Sequence, residues 1–343
     1  MADNAPDPGL RFGSANLRAK LASHFPGLMF CILLGMAATF VSSAYGGPTV
    51  LFALLLGMAF NFLAADARFA PGLAFSARSV LRLGVALLGA RITFEQIVRL
   101  GWMTLAGVAI SVALTILFGL LAAKLVGLKL RFGVLTAGSV AICGASAAAA
   151  LAAVLPRHDA HDRDTAFTII GVTTLGVVAM VLYPVIAAAF HFTHTQTGVF
   201  LGGTIHDVAQ VVGAGYSVSP EAGDVATIIK LLRVALLVPT VLIVSVLGRR
   251  VKPPLETKRP PIVPGFLLAF LGIVVLNSFH LVPAAVETAL SDASRWCIIT
   301  AIAALGVKTS LAALADVGRR AVALLVAETV FIALLVGALV RLS

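Results

Sequence analysis

The stretch GGTIHDVAQVVGAGY, residues 202–216, places His206, Asp207 and Gln210 inside an apolar run. Gln210 follows His206 by four residues and Asp207 by three, so on a helix the three share a face. A carboxylate at the bilayer centre costs about 2.5 to 3.5 kcal/mol on insertion scales, and the intramembrane ones that persist tend to serve proton relays or pair with a cation. Histidine titrates near neutrality. His206, Asp207 and Gln210 are therefore the candidates for proton coupling. The structural alternative pairs Asp207 with Lys230 or Arg233, which lie three apart on one helical face in TIIKLLRVALLVP. In a functional role, those two cations would draw an oxyanion.

A second group of candidates comes from glycine. Glycine costs about 1 kcal/mol against alanine in a helix interior, so GSVAICGAS (138–146) and GGTIHD (202–207) are where a membrane helix is most readily interrupted. An interrupted helix exposes N–H groups and a positive dipole end, which suits an anion. Gly138, Ser139, Cys143, Gly144, Ser146, Gly203 and Thr204, with Lys230 and Arg233, are the candidate substrate-binding residues. Close packing through small residues is the structural alternative for these segments. The three cysteines, Cys31, Cys143 and Cys297, have neither disulfide nor metal spacing. No metal site, cofactor or enzymatic activity is expected. Asn61 and Asn277 read as residues that cap or bridge helices, with substrate binding as the alternative, Glu328 as an interhelical hydrogen bond, with a coupling carboxylate as the alternative, and Arg91 and Lys308 as anchors past helix C-termini.

The elements that must position these residues follow from composition. The 343 residues are 60% hydrophobic and 12% charged, about half the charge of a soluble domain. Runs of some twenty apolar residues match a helix crossing a hydrocarbon core, and none shows the alternation of a membrane barrel. The chain is thus expected to be an all-α, polytopic membrane protein of about 11 helical spans: 26–45, 49–63, 76–90, 103–123, 133–155, 165–190, 198–217, 224–248, 263–280, 294–307 and 319–340. The third and tenth are short enough to be half-spans. Residues 1–25 read as a cytoplasmic N-terminal segment and 26–343 as one transmembrane domain. With the N-terminus inside and the C-terminus outside, 17 lysines and arginines fall on inner loops and 6 on outer ones, as in an inner bacterial membrane. The net charge of +10 is accounted for by this topology and by contact with anionic lipid, and nothing suggests a nucleic-acid partner.

LLGMAFN (55–61) parallels FLGIVVLN (270–277), and VALLGARITFEQI (85–97) parallels IAALGVKTSLAAL (302–314). These belong to repeat-related parts 48–120 and 264–341. An odd number of spans separates equivalent helices, so the second copy runs upside down, the inverted repeat of secondary transporters. A weaker echo joins DTAFTII (164–170) to DVATII (224–229), each after a glycine-rich segment, within central parts 133–190 and 198–248.

LRLGVALLGARITF, GSVAICGASAAAA, GGTIHDVAQVVGAGYSVSPEAGD, KLLRVALLVP, NSFHLVP and AALGVKTS, in that order and spacing, resemble the YeiH-like family of bacterial inner-membrane proteins, described as sulfate exporters. The resemblance covers nearly the whole chain from residue 26. It implies kinship with the cation/proton antiporters and bile acid:sodium symporters, whose cores use two broken helices that cross and which are often dimers. His206-Asp207 fits the family's His-Glu or His-Asp pattern. The expected function is secondary active export of a small anion such as sulfate or sulfite, coupled to protons. A sodium-coupled organic anion symporter and a passive anion channel are the alternatives.

Overall fold

The computed structural model describes residues 9–156, 158–248, 265–309 and 319–342, with described side chains beginning at Ala22. RRVKPPLETKRPP (249–261), a hydrophilic stretch whose four prolines are expected to preclude a helix throughout, and the end of the second repeat motif lie outside these residues. In chain order the helices are α1 (Gly9–Tyr45), α2 (Thr49–Ala59) with a 3-10 turn at Asn61–Ala65, and α3 (Ala70–Phe75). A π-helical turn, Ser76–Val80, joins α3 to α4 (Leu81–Leu87), which ends in a 3-10 turn at Leu88–Arg91. Then come α5 (Phe94–Arg99), α6 (Trp102–Leu125), α7 (Leu130–Ala141), α8 (Ala145–Val154), α9 (His161–Ala189), α10 (His194–Thr204), α11 (Val208–Val218) and α12 (Pro220–Ala235). The chain closes with α13 (Leu237–Gly248), α14 (Gly265–Ser278), α15 (Ala284–Lys308) and α16 (Arg319–Leu342). Helices satisfy their backbone groups internally, which a hydrocarbon solvent demands. The boundary between α12 and α13 falls where Pro239 cannot donate and its ring would meet the carbonyl four residues back.

The all-α architecture with internal repeats and two interrupted central elements agrees with the sequence reading, but the number of crossings does not. The segments expected as spans 133–155 and 198–217 are re-entrant hairpins. Were α7 and α8 collinear, Leu135 and Leu151 would be about 24 Å apart, yet Leu135, Ala148, Leu151 and Ala152 form one small apolar cluster. Arg131 at the start of α7 and Pro156 beyond α8 line the same depression. In the second hairpin, Thr195 Oγ1 at the start of α10 donates to Glu221 Oε1 (2.5 Å), while Tyr216 near the end of α11 covers Gly223. Both ends therefore meet the start of α12. Helix α9, about 43 Å long, runs from the mouth of the first hairpin to the mouth of the second, so the two open on opposite faces. Among the described residues seven segments are long and apolar enough to cross, α1, α3–α4, α6, α9, α12–α13, α15 and α16; with the shorter apolar helices α2 and α14, which pack beside them on α15 and α4, the count becomes nine crossings. The short third and tenth spans prove to be parts of full-length ones, Ala70–Arg91 and Ala284–Lys308.

The helices form two bundles. One packs α1, α2, α3–α4, α14 and α15 together; the other packs α6, α9, α12, α16 and both hairpins. Within the first, the repeats exchange contacts. Asn61 Nδ2 donates to Val307 O (2.7 Å) and Thr309 O (3.0 Å), and its repeat equivalent Asn277 donates to Ile92 O (3.5 Å), the equivalent of Thr309. Gly57 lies directly on Gly306 of α15, and Gly89, the counterpart of Gly306, lies on Phe270 and Val274 of α14. When residue i of one copy meets j of the other and their equivalents meet in turn, a two-fold relates the copies. Four crossings lie between α2 and α14, so α14, the fifth crossing after α2, runs the opposite way and that axis lies in the membrane plane.

Candidate functional site

The tips of the two hairpins meet in the middle of the second bundle. In the first, Ile142, Cys143 and Gly144 leave the helix, and Gly144 adopts φ +63° and ψ −125°, which a Cβ would oppose. In the second, Ile205, His206 and Asp207 do so. A Cβ at Gly144 would stand 3.5 Å from the His206 Cβ, so the tips are in contact there. Each tip carries the C-terminus of one short helix and the N-terminus of the next.

Orphan carbonyls at the C-termini need donors, and α12 supplies them. Lys230 Nζ donates to Ile142 O (2.8 Å), Ile205 O (2.9 Å) and His206 O. Arg233 donates from Nε to Ala141 O (2.9 Å), from Nη2 to Val140 O (2.8 Å), and from Nη1 to Gly202 O and Ile205 O (3.0 Å each). Both side chains are fully buried. The expectation that these cations present their donors to a solute is thereby revised: all three Lys230 protons and four of the five Arg233 donors are occupied by backbone from both tips. Neither forms an ion pair with Asp207 among the described residues.

Asp207 is the N-cap of α11, its Oδ1 accepting from Ala209 N (2.8 Å). The protein's own carboxylate thus occupies the N-terminus at the second tip. At the first tip, Gly144 is the N-cap of α8 and offers no side chain, while Ser146 in the first turn is exposed. His206 is buried with Nε2 3.0 Å from Thr329 Oγ1 of α16. Gln210 Nε2 donates to Thr173 O of α9 (3.1 Å), on the α11 face turned toward α9. The coupling candidates are thus dispersed: only Asp207 of the three retains partial exposure.

The other candidates divide in the same way. Gly138 and Ser139 sit in the last turn of α7, Gly138 packed on Leu151 and the Ser139 hydroxyl donating to Leu135 O. Gly203 and Thr204 end α10, with Gly203 on Val336 and the Thr204 hydroxyl donating to Phe200 O (2.6 Å). These four face C-terminal ends and serve packing, because the glycine-rich run covers both sides of each break and only the residues after it belong to an N-terminus. Cys143, Gly144 and Ser146 remain at the first tip. Glu328, read from sequence as an interhelical tie, is bonded to Thr136 Oγ1 (2.9 Å).

Sequence reasoning missed Arg91. Between the bundles, on the face where the second hairpin opens, lies a cavity of about 290 Å³, lined by Arg91, Arg295, Tyr216 and Ser291 among others. Arg91 Cζ stands 5.3 Å over the Tyr216 ring, with Nε 3.6 Å from Asp224 Oδ1. Its place just past a helix C-terminus pointed to an anchor, and nothing local in the sequence brings α11 beside it.

Opposed half-membrane hairpins, inverted repeats and a cation clamp at the tips define a polytopic membrane protein with transporter-like architecture. More particularly, the chain belongs to the UPF0324 membrane protein family: the family model described as Conserved hypothetical protein 698 matches residues 26–325. It is 55% identical to the UPF0324 membrane protein TauZ of Paracoccus denitrificans over 93% of this chain and 95% of the relative. A UPF0324 membrane protein of Chlorobaculum tepidum is 53% identical over 95% and 92%, and one of Rhizobium meliloti 50% over 94% of each.

Proposed function

We propose that the protein is a secondary active transporter that carries a small anion, sulfate or sulfite foremost, outward across the bacterial inner membrane, with protons as the coupling ion. The observation that carries this reading is the meeting of two oppositely opening hairpins at one point, clamped there by Lys230 and Arg233. Two buried cations against one carboxylate give the tips a positive balance, which favours an anion. The N-terminus of α8 at Gly144 and Ser146 lacks a side-chain cap and is the place for it. Asp207, partly exposed and one residue from the tip contact, is the group placed to exchange a proton.

The packing supports alternation between two faces. Every residue of α11 from Val208 to Gly215 is buried, and α11 packs on α2 and α15 of the other bundle. Its counterpart α8 exposes Ser146, Ala149 and Ala153. Rocking the hairpin bundle against the α2–α15 bundle would exchange these situations. The expected topology, N-terminus inside, puts the mouth of the first hairpin on the cytoplasmic face, where Arg163 joins the majority of basic residues.

The test is anion flux in proteoliposomes. Wild-type protein is expected to show sulfate or sulfite counterflow that steepens with a pH gradient, and Asp207→Asn is expected to carry anion with that pH dependence abolished. Flux driven by a sodium gradient and indifferent to pH would replace the reading with sodium-coupled organic anion symport. Uncoupled conductance in planar bilayers would replace it with a channel.

A further inference from the structure

We infer that the cavity beside Arg91 is a second anion-binding site, built for an organic oxyanion with a short apolar part, and that Asp224 competes with the ligand for the Arg91 guanidinium. The inference rests on the transport reading only for its role on the solute path; the binding itself stands without it.

The cavity is formed by both bundles: the first turn of α2 (Thr49, Val50), the 3-10 end of α4, the flank of α15, and the outer half of α11. At about 290 Å³ it is many times the 10 to 15 Å³ that a single water needs by the same measure, so a bare inorganic ion would leave most of it unfilled. The lining mixes polar groups, two cations (Arg91 and Arg295) against one carboxylate (Asp292) with the Tyr216 hydroxyl, and aliphatic surface such as Leu88 and Val212. A polar group fixing orientation against an apolar wall is the usual construction of a small-molecule site.

Arg91 is held in a way that leaves its fork available. The ring of Tyr216 supports the guanidinium from one face at 5.3 Å. Its ties are loose: Nε to Asp224 Oδ1 at 3.6 Å and Nη1 to Ser291 Oγ at 3.5 Å. Oxyanion partners of arginine normally stand at 2.7 to 2.9 Å, often bidentately. Asp224 is itself engaged by a hydrogen bond from the Tyr216 hydroxyl, which draws it toward the ring. The side chain of Arg91 keeps 32% of its exposure. Because Arg91 belongs to one bundle and Tyr216 and Asp224 to the other, a ligand that takes the guanidinium from Asp224 also loosens a tie between the bundles on this face. That links occupancy of the cavity to its opening.

The experiment is isothermal titration of purified full-length protein in detergent with ethanesulfonate, butanoate and sulfate. Ethanesulfonate or butanoate is expected to bind wild type more tightly than sulfate. Arg91→Gln should weaken binding roughly tenfold or more, the scale of a lost charge-assisted contact, and Arg91→Lys, which keeps the charge without the fork, should recover part of it. Asp224→Asn should tighten binding several-fold, a change that a merely structural role for Asp224 would not produce. Absence of binding by wild type, equal affinities in wild type and Arg91→Gln, or weaker binding in Asp224→Asn would each overturn the inference. Arg91-dependent binding without flux in proteoliposomes would remove the transport reading and leave the site. Flux in Arg91→Gln with unchanged KM would take the site off the solute path and leave the transport reading.

Discussion

The two hairpins share a plan and differ in finish. Each is a pair of helices of 10 to 12 residues, half a bilayer long, and each presents its tip carbonyls to the same two cations. The first turns on a glycine at φ +63°, leaves the N-terminus of α8 without a side-chain cap, and exposes one face of that helix. The second turns through His206 and Asp207 with no positive φ, caps α11 with its own carboxylate, and buries that helix against the other bundle. Symmetry of skeleton with asymmetry of packing is what the proposed alternation between two faces requires of a single state. The difference also separates two chemistries: backbone donors at the first tip, a titratable side chain at the second.

The largest effect is expected from removing what the hairpins have in common. Arg233→Ala strips the side-chain donor from three buried carbonyls, Val140 O, Ala141 O and Gly202 O, at about 1–3 kcal/mol each, leaves Ile205 O to Lys230 alone, and opens a void where a guanidinium stood. The variant should fail to yield monodisperse protein, or unfold far below wild type in detergent, measured by chromatography and thermal melting. Arg233→Lys, with three donors for four carbonyls, should recover only part. A stable, wild-type-like Arg233→Ala would mean the tips do not depend on the clamp.

The next prediction turns on their difference. In a Cys297→Ser background, Ser146→Cys should react with a hydrophilic maleimide in membranes, whereas Ala214→Cys on α11 should not; Ser146 is exposed and Ala214 is 1% exposed. Adding the reagent to sealed inside-out or right-side-out vesicles assigns the open face. Equal labelling of both positions would remove the one-sided packing on which the comparison rests.

Much of this was legible in the chain. Length and apolarity gave the outer helices, glycine marked both breaks within the residues expected, and the repeat motifs named Asn61 and Asn277, whose crossed hydrogen bonds now tie the copies together. Even the faint echo of 164–170 in 224–229 is structural, since each segment opens the helix that follows a hairpin. What stayed hidden was direction. A run of about 23 apolar residues with glycine at its middle has the same hydropathy whether it crosses the bilayer or turns back, so 133–155 and 198–217 read as spans. The one usable cue was that glycines cluster at half a bilayer's depth, where a chain must turn if it is to return. Lys230 and Arg233 were placed on one face correctly, but a cation near a break is equally able to serve a solute or a helix C-terminus. Only the position of the carbonyls decides between them, and that depends on which way the chain turns. Arg91 was invisible as a site residue because its neighbours, Tyr216 and Asp224, lie more than a hundred residues away in the other bundle.

The smallest effect distinguishes how the tips are built. Gly144→Ala forces an L side chain into φ +63°, ψ −125°, outside the left-handed well that non-glycine residues tolerate, at a cost of about 1–3 kcal/mol. There is space around it, the nearest atom to an added Cβ being 3.5 Å away, so the penalty is conformational and not steric. Asp207→Ala at the second tip removes a cap worth about 1 kcal/mol and leaves the backbone unstrained. Melting midpoints of the two variants in the same detergent should therefore both fall, Gly144→Ala the further. If Gly144→Ala melted with wild type, the first tip would have to reach its turn by another backbone path, one that an alanine can follow. The bare N-terminus of α8 would then no longer be set by the glycine before it.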